Sequence, residues 1–135
     1  MSQQHDEALE AIVATTKLGE AFFPGEVPKG QGLPYAVYWP SNGTDTQPRF
    51  ASGSVRQQPS WTIWCVGDTP ENAGWVFGVL KAKLFPGGLG IIPDVPGEHP
   101  GPFWFRSPQP LQRDDDAKPS IFWHTIETGF FSDLT

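Results

Sequence analysis

One stretch limits the possible folds more than any other: "SWTIWCVGDTPENAGWVFGVLKAKLFPGG" (60–88) sets an apolar strand directly before a capped amphipathic helix. Trp61, Ile63 and Cys65 alternate with Thr62, Trp64 and Val66, so both faces of the strand are largely apolar and it belongs in the middle of a sheet. After it, Asp68 or Thr69 can serve as N-cap and Pro70 suits the first turn, while Ala73, Val76, Phe77, Leu80 and Leu84 form one stripe. The spacing predicts a helix over 70–84. Lys81 and Lys83 fall in its last turn, where the helix dipole favours cations, and Pro86, Gly87 and Gly88 stop it.

The flanking segments fill in the sheet. Leu9, Ile12, Val13 and Thr16 recur at helical spacing behind Asp6 and Glu7, predicting a first helix within 6–23 that Pro24, Gly25 and Pro28 end. "LPYAVYWP" (33–40) is short, aromatic and β-branched, as a strand should be. "SNGTDTQP" then reads as a turn, and "RFASGSVRQQ" (49–58) as a second strand before the central one. From 85 to 112 glycine and proline are dense, so short strands are expected only at "GLGIIPDV" and "PFWFRS", joined by a loop "PGEHPG". "SIFWHTIETGFFSD" (120–133) alternates over its whole length and predicts one long closing strand. The order predicts an α+β domain: a two-layer sandwich, with a mostly antiparallel β-sheet and two helices packed on one face. That packing leaves the opposite sheet face, or the sheet edges, for neighbours.

Length and charge narrow the function. With 135 residues, the expectation is a single domain over 1–135, large enough for a true core. A net charge of −6 gives the chain no general attraction for polyphosphate, so tight nucleic-acid binding is not expected. No apolar run approaches a membrane span and the N-terminus lacks the pattern of a secretory signal, so no membrane partner is expected and the chain reads as soluble and cytosolic. The lone Cys65 has no intrachain partner and sits in an apolar run, which suits a buried, inert thiol and a reducing compartment.

His5, His99 and His124 stand outside any metal-ligand spacing: His5 is expected in a fraying terminus, His99 in a loop, and His124 half-buried in the last strand. Phosphate-cradling loops and the nucleophile elbow are missing from the sequence, so no catalytic residue, cofactor or metal is expected. The acids of "RDDDAKPS" lack the alternate spacing of a calcium loop, and adjacent residues on an extended chain point opposite ways. Asp114, Asp115 and Asp116 read first as a solvated bend whose side chains bond local amides, and second, with Arg113, as a partner contact. Most of the six tryptophans are expected in the core, with a surplus available for an exposed interface.

Three segments carry a family resemblance. "LPYAVYWP" resembles the first sheet strand of the tail terminator (tail completion) proteins of long-tailed phages, particularly those of actinobacteria. "WTIWCVGDTPENAGWVFGVLKAKL" is similar to their strand, turn and amphipathic helix, and "RDDDAKPSIFWHTIETGFF" to their closing strand. The 85–112 segment departs from the pattern by its length and irregularity. The resemblance implies a virion protein that forms a homohexameric ring on the finished tail tube, meets the major tail tube protein below and a head-to-tail connector or stopper above, and has no catalytic residues. It places the protein at the head-proximal end of the tail, and in the host cytoplasm during assembly. DNA passing such a ring is repelled by carboxylates in the lumen, so Arg113 and Asp114 to Asp116 are expected on the lumen or on a partner-facing rim. The neighbouring alternative is a head-completion or connector protein, and the distant ones are a small metal-dependent hydrolase or a ligand-binding module.

Overall fold

A computed structural model describes residues 3–40, 56–116 and 120–134. Most of the expected strand over 49–58, and the turn before it, lie outside these residues. The described chain forms the expected α+β arrangement: helices α1 (Gln3–Ala14) and α2 (Pro70–Leu84) lie on one face of a mostly antiparallel sheet. The strands of that sheet are β1 (Phe22–Pro24), β2 (Tyr35–Pro40), β4 (Ser60–Gly67), β6 (Trp104–Arg106), β7 (Gln112–Asp114) and β8 (Ile121–Gly129). Their order is β1-β2-β4-β8-β6, and β7 shares the outer edge of β8 with β6. A second small sheet joins β3 (Arg56–Gln57), β9 (Ser132–Leu134) and β5 (Glu98–Pro100) in the order β3-β9-β5. Among the described residues no helix is long and apolar enough to cross a membrane.

The central segment folds as its sequence dictates. β4 occupies the middle of the sheet between β2 and β8. Thr69 caps α2 by accepting the Asn72 amide at 3.1 Å, and Ala73, Val76, Leu80 and Leu84 are buried against the sheet. The strand-to-helix turn is so tight that a Cβ on Gly67 would stand 2.4 Å from the Ala73 nitrogen. Beneath the helices, Trp61, Ile63, Cys65, Tyr38, Phe103, Ile126 and Phe130 form the core with Leu9 and Val13 of α1.

Four expectations need correction. α1 ends at Ala14, because the Thr15 and Thr16 hydroxyls donate to the Ile12 and Val13 carbonyls and compete with the next helical turn. The freed Phe22–Pro24 pairs in parallel with Ala36–Tyr38 and stacks Phe22 on Tyr38, with ring centroids 4.6 Å apart. No strand forms over 89–95; the expected loop 96–101 instead supplies β5, because β9 offers it an edge. The long closing strand breaks at Phe130 and Phe131. Its ladder with the 56–67 strand nevertheless continues in one register, from Ser60 opposite Gly129 to Gln57 opposite Ser132, with the Phe130 amide bonded to the Pro59 carbonyl at the bend. The two sheets are thus one sharply bent ribbon, kinked where Pro59 has no amide to give.

The fourth correction concerns His5. It is fully buried, its Nε2 lies 2.9 Å from a Glu98 carboxylate oxygen, and its ring packs edge-on against Phe130 at 5.9 Å. The N-terminal turn is pinned by a buried polar contact to the second sheet.

Candidate interaction surfaces

The face of the sheet opposite the helices is aromatic. Side chains alternate along a strand, so residues beside Ile63 and Cys65, which point into the core, must point away from the helices. On that open side Trp64 stacks on Trp123 (centroids 4.8 Å, planes 20° apart) and meets Trp39 edge-on at 5.1 Å. The three indoles bridge β2, β4 and β8 and cover Val37 and Val66, which are buried. The indoles are only partly covered by the described residues: Trp64, in the central strand, is 36% exposed, while Trp39, with Gly25 beside its ring, and Trp123 are half-buried. Trp104 stands on the same side, and Arg106 and Glu127 close the surface with an ion pair. Of the tryptophans expected in the core, only Trp61 is fully buried, its indole N–H donating to Asp6 at 2.8 Å.

The acids lie at one end of this face. Asp114 ends β7, opposite Ile121 and two residues beyond Gln112, which pairs with Trp123. Its carboxylate accepts the Asp116 amide at 2.9 Å, forming the local bend expected for such a run. Asp115 is paired with Arg113 and accepts the Ser120 hydroxyl, while the Arg113 guanidinium sits 5.5 Å over the Phe122 ring. Arg113, Asp114, Asp115 and Asp116 are therefore brought together as one locally bonded turn beside the tryptophan face, exposed except for the half-buried Asp114. Between β6 and β7 the edge of β8 is satisfied by side chains, the Ser107 hydroxyl donating to the Thr125 carbonyl at 3.0 Å and the Thr125 hydroxyl to Gln109 at 3.2 Å.

Further exposed apolar side chains stand on and beyond α2. Trp75 projects from the outer side of α2, 41% exposed, and beyond the C-terminal end of that helix Leu89 and Ile92 are 76% and 66% exposed. The 89–92 segment is held from both sides: the Ile91 amide bonds Leu84 at 3.1 Å, and its carbonyl accepts the Phe103 amide at 2.8 Å. Between them Gly90 lies so close to Phe103 that a Cβ there would fall 1.7 Å from the carbonyl oxygen. The glycine- and proline-dense segment after α2 thus carries an anchored aliphatic knob at 89–92. Lys81 and Lys83 are exposed in the last turn of α2, and neither pairs with an acid among the described residues.

Candidate chemical groups are dispersed. His99 is exposed in β5, far in register from His124, whose ring packs on Phe77 at 5.2 Å and whose pKa burial lowers. Cys65 is buried, and desolvation raises its thiol pKa well above the ordinary range. The His5, Glu98 and Ser132 side chains do meet, but Glu98 sits between the other two and accepts from the Ser132 hydroxyl. An imidazole that never touches the serine cannot activate it as a nucleophile. Among the described residues no three His, Cys, Asp or Glu side chains gather as metal ligands would.

The sequence pattern contained the aromatic face in a form that composition alone does not reveal. Trp64 alternates in phase with Thr62, and Trp123 with Thr125 and Glu127, so the polar members of each series mark the solvent side. The knob left only a faint trace, two aliphatics inside a glycine-rich segment.

No protein-family model matches the chain, and no curated protein matches it in sequence. The fold does find likenesses among solved structures. One is a chain of the virion of a native gene transfer agent particle, 15% identical, with a TM-score of 0.68 over 98% of this chain and 99% of that one.

Proposed function

We propose that this chain is a virion structural protein, the tail terminator of a long-tailed phage-like particle, acting by stoichiometric capping without turnover. The supporting observation is the end-to-end likeness of fold to a gene transfer agent virion chain, which spans both chains with almost no unmatched length. The segments that resemble tail terminators agree with it: they are β2, β4 with α2, and β7 with β8, the adjoining parts of the sheet and its helix. In this reading a homohexameric ring sits on the tail tube protein, stops its polymerisation and offers its upper rim to a connector or stopper. Arg113 and Asp114 to Asp116 belong to a surface that faces a partner, a neighbouring protomer included. An acidic ring also gives passing DNA no place to adhere.

Deleting the gene and imaging the particles tests the proposal. Tails of uncontrolled length, lacking heads, support a terminator. Full tailless heads beside free tails of normal length would instead identify a head-completion or connector protein.

A further inference from the structure

A ring needs two different surfaces on each protomer that fit each other, because identical patches meeting across a two-fold axis stop at a dimer. Among the exposed apolar side chains of the described residues are Trp64, set in the Trp39–Trp64–Trp123 face of the sheet, and Trp75, Leu89 and Ile92 on and beyond α2. Their borders differ in charge. The tryptophan face ends at the turn of Arg113, Asp114, Asp115 and Asp116, in which the acids outnumber the one cation, whereas the last turn of α2, shortly before the knob in the chain, carries the exposed Lys81 and Lys83, with one exposed acid, Asp94, after Ile92. Packing either surface on a copy of itself covers one apolar patch and leaves the other in water. Packing one on the other covers both and brings ammonium groups to carboxylates.

We propose that the tryptophan face of one copy receives the α2 outer side and the 89–92 knob of the next, with Lys81 or Lys83, which leave α2 on different flanks, set against the Asp114–Asp116 turn. This rests on the ring of the preceding section and names its contact. The stacked indoles form a wide, rigid platform of the kind that dominates interface energetics, and the knob is already ordered by the two Ile91 backbone bonds, so little freedom remains to be lost on docking. A head-to-tail contact of this kind continues until rotation closes it.

The test uses the full-length chain in two forms, one with Leu89→Asp and Ile92→Asp, the other with Trp64→Glu. All three positions are exposed, and thermal melts establish that each variant is folded; if Trp64→Glu is not, Asp115→Lys with Asp116→Lys replaces it. In sedimentation up to about 1 mM protein, which detects contacts as weak as a millimolar Kd, the unmodified chain assembles and each variant alone stays monomeric. Mixed, the two variants form a one-to-one heterodimer that grows no further, since one intact knob meets one intact face. Higher salt weakens the contact, as expected for ammonium and carboxylate groups at its border. A monomeric unmodified chain, variants that assemble normally, or variants that fail to pair on mixing would each overturn the proposal. If rings persist in both variants, the contact is wrong and the terminator reading stands; if deletion leaves tails of normal length, the terminator reading is wrong whatever the contact.

Discussion

His5 Nε2 lies 2.9 Å from Glu98 Oε1, and through this buried pair the first turn of α1 is fastened to the second sheet. Ser132 donates to the same carboxylate, so one side chain satisfies groups from α1 and β9. Glu98→Ala removes the acceptor and strands two buried polar groups, each costing about 1–3 kcal/mol when left unpaired. The expected loss is about 3 kcal/mol in denaturant unfolding. Glu98→Gln, which keeps an acceptor oxygen, should lose distinctly less.

Cys65 is predicted to be silent in the native state. Its thiol is buried and its pKa is raised by desolvation, so thiolate is scarce and reagent has no path to it. An aromatic disulfide reagent should react at the rate of global unfolding and quickly in guanidinium. Because the folded pKa is raised above the ordinary 9.0, the unfolded chain releases its proton first, and this group's contribution to stability falls as pH rises above that value. Cys65→Ala should remove that alkaline dependence, measured as the change in denaturation midpoint between neutral and alkaline buffer.

His124 acts in the opposite direction of pH. Burial lowers its pKa from the ordinary 6.5, favouring the neutral ring against Phe77. Below 6.5 the unfolded chain takes up a proton that the folded chain refuses, so stability is full above that pH and declines as pH falls toward the depressed folded value. His124→Phe should flatten this acid decline relative to the unmodified chain, as read from thermal midpoints at a series of pH values.

Gly90 is predicted to tolerate no side chain. A Cβ placed 1.7 Å from the Phe103 carbonyl oxygen cannot be absorbed by a rotamer change, since the obstacle is backbone. Gly90→Ala should cost about 1–3 kcal/mol, the usual range for overpacking, and displace the 89–92 knob. The measurements are a chemical melt and the protection of the Ile91 and Phe103 amides against hydrogen exchange.

The contrast between α2 and α1 explains what was legible in the sequence. At α2 the cap, the proline and the apolar stripe all agree, and the structure follows them from Pro70 to Leu84. At α1 the stripe ran on through Thr16, but two threonine hydroxyls ended the helix early, and Phe22 gained more by pairing with β2. Register is likewise a property of partners: β5 emerged from an apparent loop because β9 lay beside it, and the closing ladder bent at Pro59 without slipping. His5 could not be placed from sequence, since its partner Glu98 is remote in the chain and is brought near only by the second sheet. The acid turn was readable because its hydrogen bonds are local, whereas the tryptophan platform required three strands to be assigned to one face.

The central claim, that the chain halts a growing tube by occupying its end, is tested most directly by adding purified protein to polymerising tail tube subunits and measuring tube lengths by electron microscopy. The account predicts short tubes of arrested length, each carrying one ring of this chain at a single end. Tubes that lengthen as they do without the protein, with none of it bound at either end, would contradict it.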